Sequence, residues 1–342
     1  MNSTKQIQAL KPVWNIILII MPIVLAFFAL CIGRISYPIS EIWQVFISKI
    51  TNSDIEIDKQ ISMIIWNIRL PRILMAMLVG AGLSVSGCAF QGLFSNPLAT
   101  PDTLGVASGT SFGAALALLL GCNFIGVQAI AFGFGILAVL LTWLSSSGKS
   151  SSGLNSVVLS GIMIGSLFSA LISLVKFAAD TESQLPAITY WLMGSLSSAG
   201  FSSLQIGAPC IIITIFVLYL FRWQLNILPL GEDEARSLGS NIQLLRIIRI
   251  LCATAMTASS VAMCGQVGWV GLLIPHICRM LFGNNHRALI PACISFGASF
   301  LVIVDTMARS ISASEIPISV LTAMIGAPFF IILMRKTGGW KI

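Results

Sequence analysis

An all-α membrane protein, with about ten transmembrane helices packed as one bundle, is the fold class this sequence predicts. Three observations predict it. Of the 342 residues, 56% are apolar and 9% are charged, whereas an average globular chain carries roughly 25% charged residues. The apolar residues gather in runs close to the roughly 20 residues a helix needs to cross a bilayer. The charged residues collect between those runs, and the basic ones favour alternate gaps. The spans leave no stretch long enough for a separate soluble domain, so residues 1–342 read as a single membrane domain.

From the N-terminus, the first run, 13–33, follows Lys5 and Lys11. It exceeds the roughly 7–15 apolar residues of a cleavable signal core, so it reads as a retained span. Leu30 also stands where a lipoprotein cleavage site at Cys31 would need a small residue. A polar outer segment, 36–62, precedes the second span at 70–93. Spans at 104–121, 125–144, 154–175 and 203–221 follow. A polar inner segment, 222–246, separates them from the last four, at 247–264, 267–283, 288–306 and 317–334. The glycine-rich stretches around 80–110 and 265–272 suggest broken helices. Trp14, Trp66, Trp143, Trp191, Trp223 and Trp340 fall at or near span ends, where an amphipathic indole is most stable. Gly105, Gly109 and Gly113, and again Gly161 and Gly165, have the spacing of close helix packing.

An inside N-terminus combined with ten spans puts the C-terminus inside as well. The cytoplasmic basic residues are then Lys5, Lys11, Lys149, Arg222, Arg236, Arg246, Arg249, Arg279, Arg287, Arg335, Lys336 and Lys341. Arg34, Lys49, Lys59, Arg69, Arg72, Lys176 and Arg309 face outward. Basic residues thus crowd the inner side, as the positive-inside rule requires. The net charge of +7 follows the membrane and gives no reason to expect a nucleic-acid partner.

Catalytic chemistry is poorly supported. The eight cysteines are scattered through apolar runs with no C-x-x-C spacing, which suits small buried hydrophobes. Gly148-Lys149-Ser150 ends like a phosphate-binding loop, but Trp143 occupies the position of its first glycine. Any ATP must therefore bind another chain. His276 and His286 have no Cys, Asp or Glu placed to complete a metal site, so neither metal nor cofactor is expected. No carboxylate lies at the centre of a span, where an ion-coupled secondary carrier would need one. Nor does a Ser–His–Asp arrangement suggest a membrane enzyme.

Two constellations carry more information. At the outer side, Arg69, Arg72 and Arg309 are exceptions to the positive-inside bias, while Asp305 and Glu315 flank Arg309 as a local ion-pair cluster. The arginines either snorkel as anchors or offer guanidinium forks to carboxylates of a docking protein. At the inner side, Leu230-Gly231-Glu232-Asp233-Glu234-Ala235-Arg236-Ser237-Leu238-Gly239 reads as a short surface helix. Its acidic start suits the helix dipole. Ala235 and Leu238 offer a small apolar face, either to the membrane or to a cytoplasmic partner.

These residues resemble the FecCD-type permease family, the membrane subunits of ABC importers for iron chelates, haem and cobalamin. The densest block is Arg69-Leu70-Pro71-Arg72, Gly80-Ala81-Gly82-Leu83, Gly87, Gln91, Asn96-Pro97-Leu98-Ala99, Pro101 and Leu104-Gly105. The inner-loop pattern appears as Leu230-Gly231-Glu232, Ala235 and Leu238-Gly239. Further blocks are Val270-Gly271-Leu272, Pro275-His276-Ile277, Arg279, His286-Arg287 and Pro291, then Asp305, Ala308-Arg309, Glu315, Pro317, Thr322-Ala323 and Gly326-Ala327-Pro328. Trp269 stands where the family often has Phe, Ser319 where it has Gly, and Asn285 where it has Asp.

The resemblance implies a permease homodimer or heterodimer in the plasma membrane, two cytoplasmic ATP-binding subunits and an extracytoplasmic substrate-binding protein. It assigns Arg69, Arg72 and Arg309 to docking of the binding protein. Leu230, Gly231, Glu232, Ala235, Arg236, Leu238 and Gly239 become the element seated on the ATPase, and Gln91, Asn96, Pro97, Pro275, His276, Glu315 and Pro317 become structural motif residues. It places the path on the fifth, eighth and tenth spans. The implied cargo is an iron chelate, a ferric siderophore first, with haem and cobalamin as alternatives.

Overall fold

The computed structural model describes residues 12–51, 58–146, 154–227, 241–312 and 314–336. It is all-helical, with no strand among the described residues. The helices are α1 (Pro12–Cys31), α2 (Ile39–Thr51), α3 (Lys59–Leu93), α4 (Val106–Leu119), α5 (Phe124–Ser146) and α6 (Leu154–Ala178). They continue as α7 (Gln184–Leu192), α8 (Phe201–Leu220), α9 (Ile242–Cys264), α10 (Val270–Phe282), α11 (His286–Ser310) and α12 (Ile318–Lys336). The inner element 230–239 lies outside the described residues.

Each of the ten expected spans falls on a helix, and seven are long and apolar enough to cross a membrane unaided. The other three, α4, α10 and the apolar stretch of α12, are shorter. At about 1.5 Å per residue, the 13 residues of α10 cover only about 20 Å of an about 30 Å hydrocarbon core. Residues with positive φ set these limits: Gly105 (φ 71°) precedes α4, Gly265 (φ 76°) ends α9, and Trp269 (φ 69°) and Gly283 (φ 77°) flank α10. The broken helix expected around 265–272 is therefore present. Around 80–110 the break lies at Phe94–Gly105, while Gly80, Gly82 and Gly87 sit inside the continuous helix α3. Ser95 (φ 47°) ends that helix, and the Asn96 amide closes it on the Gln91 carbonyl at 3.1 Å, a Schellman-type stop.

The polar segment 36–62 also contains structure its sequence does not announce. Ile42 and Val45 of α2 bury one face, and Phe46 packs edge-on to Trp66. Helix α3 begins at Lys59, eleven residues before the expected boundary, and passes through a π turn at Ile64–Arg69. Pro71 follows, and a proline brings no amide to the helix ladder. The preceding turn is closed by the Leu70 amide donating to Ile65.

Burial separates the helices into two groups. In α3, α9 and α11, 72–83% of the spanning stretch is inside the protein, against 17–33% in α1, α5, α6 and α8. Composition explains the difference, because small residues let helix backbones approach closely when no water drives them together. Ser86 of α3 donates to the Ala253 carbonyl of α9 at 2.9 Å and meets Thr257 at 2.7 Å. The predicted glycine contacts are also present: Gly109 and Gly113 face α5, and Gly161 faces the Thr103 carbonyl.

Candidate functional site

Three groups of candidate residues are built on this frame. The first is an ion cluster where the ends of α1 and α11 meet α3 just past its π turn. Arg72 is its centre. Its Nε donates to Asp305 Oδ1 at 2.9 Å, and its two terminal nitrogens donate to Glu315 Oε1 and Oε2 at 2.8 and 3.0 Å. This fork-on-carboxylate geometry gives strong, directional pairing. Arg309 Nε lies 3.7 Å from Asp305 Oδ2, one helical turn away. The last carbonyls of α1 have no helical amide to accept from, and arginines satisfy two of them: Arg69 donates to Leu30 and Arg309 to Ala29, while Arg69 also donates to Ile35 in the connection that follows. Arg69 also covers the Tyr37 ring at 4.8 Å.

Sequence reasoning identifies these residues and the Asp305–Arg309 pair, but not the partner of Glu315. Glu315 pairs with Arg72 across 243 residues, where the sequence suggests Arg309 as its neighbour. Arg69, Arg72 and Arg309 are only 6–7% exposed, and their donors reach groups of their own chain. A charge reversal at Arg69 or Arg309 would therefore strike the end of α1 and not merely a docking surface. The carbonyls they serve belong to a distant helix and carry no signal in the side-chain pattern.

The second group lies where the two helix breaks touch. A Cβ on Gly271 would stand 2.9 Å from the Pro101 ring, so the start of α10 rests on the segment leading to α4. Gln91 of α3 pins this junction. Its amide nitrogen donates to the Gly271 and Leu272 carbonyls, each at 3.3 Å, and its oxygen accepts from Arg279. Irregular backbone at membrane depth is tolerated only when protein groups satisfy it. Replacing Gln91 with leucine removes the donor and leaves Arg279 without its acceptor, at an expected cost of about 1–3 kcal/mol. The checking measurement is the thermal midpoint of the purified protein, and a midpoint equal to the parent's would contradict this role.

The remaining motif residues hold local geometry. Asn96 Oδ1 accepts the Leu98 amide at 2.9 Å, with Pro97 enclosed in the turn. Pro275 lies inside α10, and the His276 ring meets Phe330 of α12 edge-on at 6.1 Å. Pro317 opens α12, its carbonyl accepting from Val320 at 3.1 Å. The three departures from the family pattern are accommodated. Trp269 (φ 69°) lays its ring on Gly326, Ser319 donates to the Met193 carbonyl at 2.6 Å, and Asn285 caps α11 through the Arg287 amide at 3.0 Å.

One group escaped sequence reasoning. Arg249, which the sequence places near the inner end of its span among the cytoplasmic charges, is buried inside α9 and 1% exposed. It donates to His286 Nε2 at 3.2 Å, in space that Gly92 leaves open. Among the described residues no cluster of His, Cys, Asp or Glu could hold a metal ion.

The third group is the exposed face of α6, which includes Ile162, Met163, Leu167 and Leu174. Between them Ser166, Ser169 and Ser173 donate to carbonyls of their own helix at 2.9, 2.9 and 3.1 Å. This face is apolar, with its serine hydroxyl protons spent on its own backbone.

A family model described as the FecCD transport family matches residues 19–336. The chain belongs to the FecCD transport family. It is an ABC-transporter permease located in the membrane, and permeases of this kind are not themselves ATPases. The family works with ATPase and substrate-binding partners. Similar proteins include the molybdate import permease MolB of Haemophilus influenzae, 42% identical over 316 residues, spanning 92% of this chain and 93% of MolB. The hemin permease HmuU of Yersinia pestis is 36% identical over 280 residues, 80% of this chain and 83% of HmuU. Among solved structures, an inward-facing conformation of a proposed metal-chelate type ABC transporter matches with a TM-score of 0.85 and 40% identity, covering 95% of this chain and 100% of that one.

Proposed function

We propose that this FecCD permease imports an iron chelate, a ferric siderophore first, across the plasma membrane. The full-length likeness to a metal-chelate type transporter is the observation that carries the reading. The permease works as a dimer with a central path between α6, α10 and α12. Both termini are cytoplasmic. Partner ATPases grip the element containing Leu230, Gly231, Glu232, Ala235, Arg236, Leu238 and Gly239, and their closure biases the bundle between outward- and inward-open states.

A binding protein docks on the outer side. Because the three arginines are buried, they serve docking indirectly: Arg69 and Arg309 fix the end of α1 and the connection to α2 that a partner would touch, and Arg72 fixes the Glu315 segment beside it. The α6 face supports a bulky chelate with an organic surface, since its stretch from Ile162 to Leu174 is apolar and carries no cation for a bare oxyanion, Lys176 standing only in the last turn at the outer end. Identity to MolB favours molybdate as the second reading.

Proteoliposomes containing this chain, its ATPase and its binding protein distinguish the two. The expected result is ATP-dependent uptake of labelled ferric siderophore that molybdate does not compete away. Uptake of molybdate alone would move the cargo to the second reading, and uptake of either without the ATPase would overturn the importer scheme.

A further inference from the structure

A groove of about 920 Å³ opens between α1, α3, α8 and α11, none of which belongs to the proposed path. Small buried residues form its floor: Ala81 of α3, and Ser295 and Ala298 of α11. Leu18, Pro22 and Ile19 of α1 and Ile215 and Leu220 of α8 form apolar walls. Ser295 is 2% exposed, and its hydroxyl has no hydrogen-bond partner among the described residues.

The mouth has different chemistry. Arg222, Trp223 and Arg287 line it, with the Arg222 guanidinium 3.9 Å over the Tyr219 ring. Arg287 is exposed, and neither arginine has a carboxylate partner among the described residues. The two are held at one place by their neighbours. Asn226, one turn past Arg222, donates to Asn285 at 3.0 Å and accepts the His286 amide at 2.9 Å.

We propose that this groove binds an anionic phospholipid, its acyl chain lying along the apolar walls and its phosphate between Arg222 and Arg287. Apolar walls alone would accept any lipid tail, and two arginines alone would accept any phosphate. The combination selects a molecule carrying both. Basic pockets between transmembrane helices are suited to anionic headgroups, and the volume matches the roughly 300–1,000 Å³ of ordinary ligand sites.

The test titrates the purified full-length chain with dioctanoyl-phosphatidylglycerol, dioctanoyl-phosphatidylcholine or inorganic phosphate, reading native mass and thermal midpoint. At roughly fivefold per arginine, the anionic lipid should bind about 25-fold more tightly than the zwitterionic one. R222Q/R287Q should abolish that preference, whereas K49Q/K59Q, which removes equal charge elsewhere, should keep it. A298F should lose both lipids by filling the floor. Equal binding of the two lipids by the parent protein would leave only unspecific lipid and overturn the proposal. So would a full stabilising shift by phosphate alone, or retained preference in R222Q/R287Q. An A298F protein that changes oligomeric mass without losing lipid would assign the groove to a second copy instead. If A298F does not fold, the surface double-arginine variant decides the question.

Discussion

Replacing Arg72 with alanine lowers the thermal midpoint of the purified permease more than alanine at Arg69 or Arg309. Asp305 is 1% exposed, and Arg72 supplies its shortest contacts, at 2.9 Å. Removing one member of a buried pair leaves an uncompensated charge, at a cost of about 3–5 kcal/mol. Arg69 and Arg309 serve mainly neutral carbonyls, where losing hydrogen bonds costs about 1–3 kcal/mol. Arg72→Lys should fall between the parent and alanine, because an ammonium keeps the charge but cannot fork to two carboxylates. The double variant R72A/D305N should recover part of the loss by removing the stranded charge, a coupling a double-mutant cycle measures directly. An R72A protein melting with the parent would show that this cluster does not hold the bundle end.

That cluster also shows how far the sequence can be read. Arg72, Asp305 and Glu315 are visible as charges near predicted span ends, and the helices carrying Arg72 and Asp305 follow from hydropathy. Their pairing is not visible, since it joins residues more than 230 positions apart and depends on how α3 meets α11. The carbonyls served by Arg69 and Arg309 are backbone groups, which every residue possesses. Helix α2 is not legible because its apolar face is only a few residues wide, and the start of α3 at Lys59 is hidden because Arg69 and Arg72 resemble a boundary. Both arginines are tolerated inside the helix by internal partners. The burial of Arg249 is hidden for a related reason: the sequence shows a charge near the inner end of its span, whereas Gly92 and His286 give it a buried site.

The second large effect is expected at Gly87. A Cβ built there would lie 1.8 Å from the Gly271 carbonyl oxygen and 2.5 Å from its carbon, so Gly87→Ala must push α10 off α3. Retreat is blocked on the other side, because a Cβ on Gly271 itself already would stand 2.9 Å from the Pro101 ring. The displacement would break the Gln91 contacts that satisfy the first turn of α10. Overpacking costs about 1–3 kcal/mol and more where backbone must move, so this variant should lose both thermal stability and ATP-driven uptake. Gly133→Ala is the matched control. Nothing lies within 4 Å of a Cβ at Gly133, and alanine improves a helix interior by up to about 1 kcal/mol. If G87A and G133A melt alike and transport alike, the close crossing of α3 and α10 is not what holds the broken helix in place.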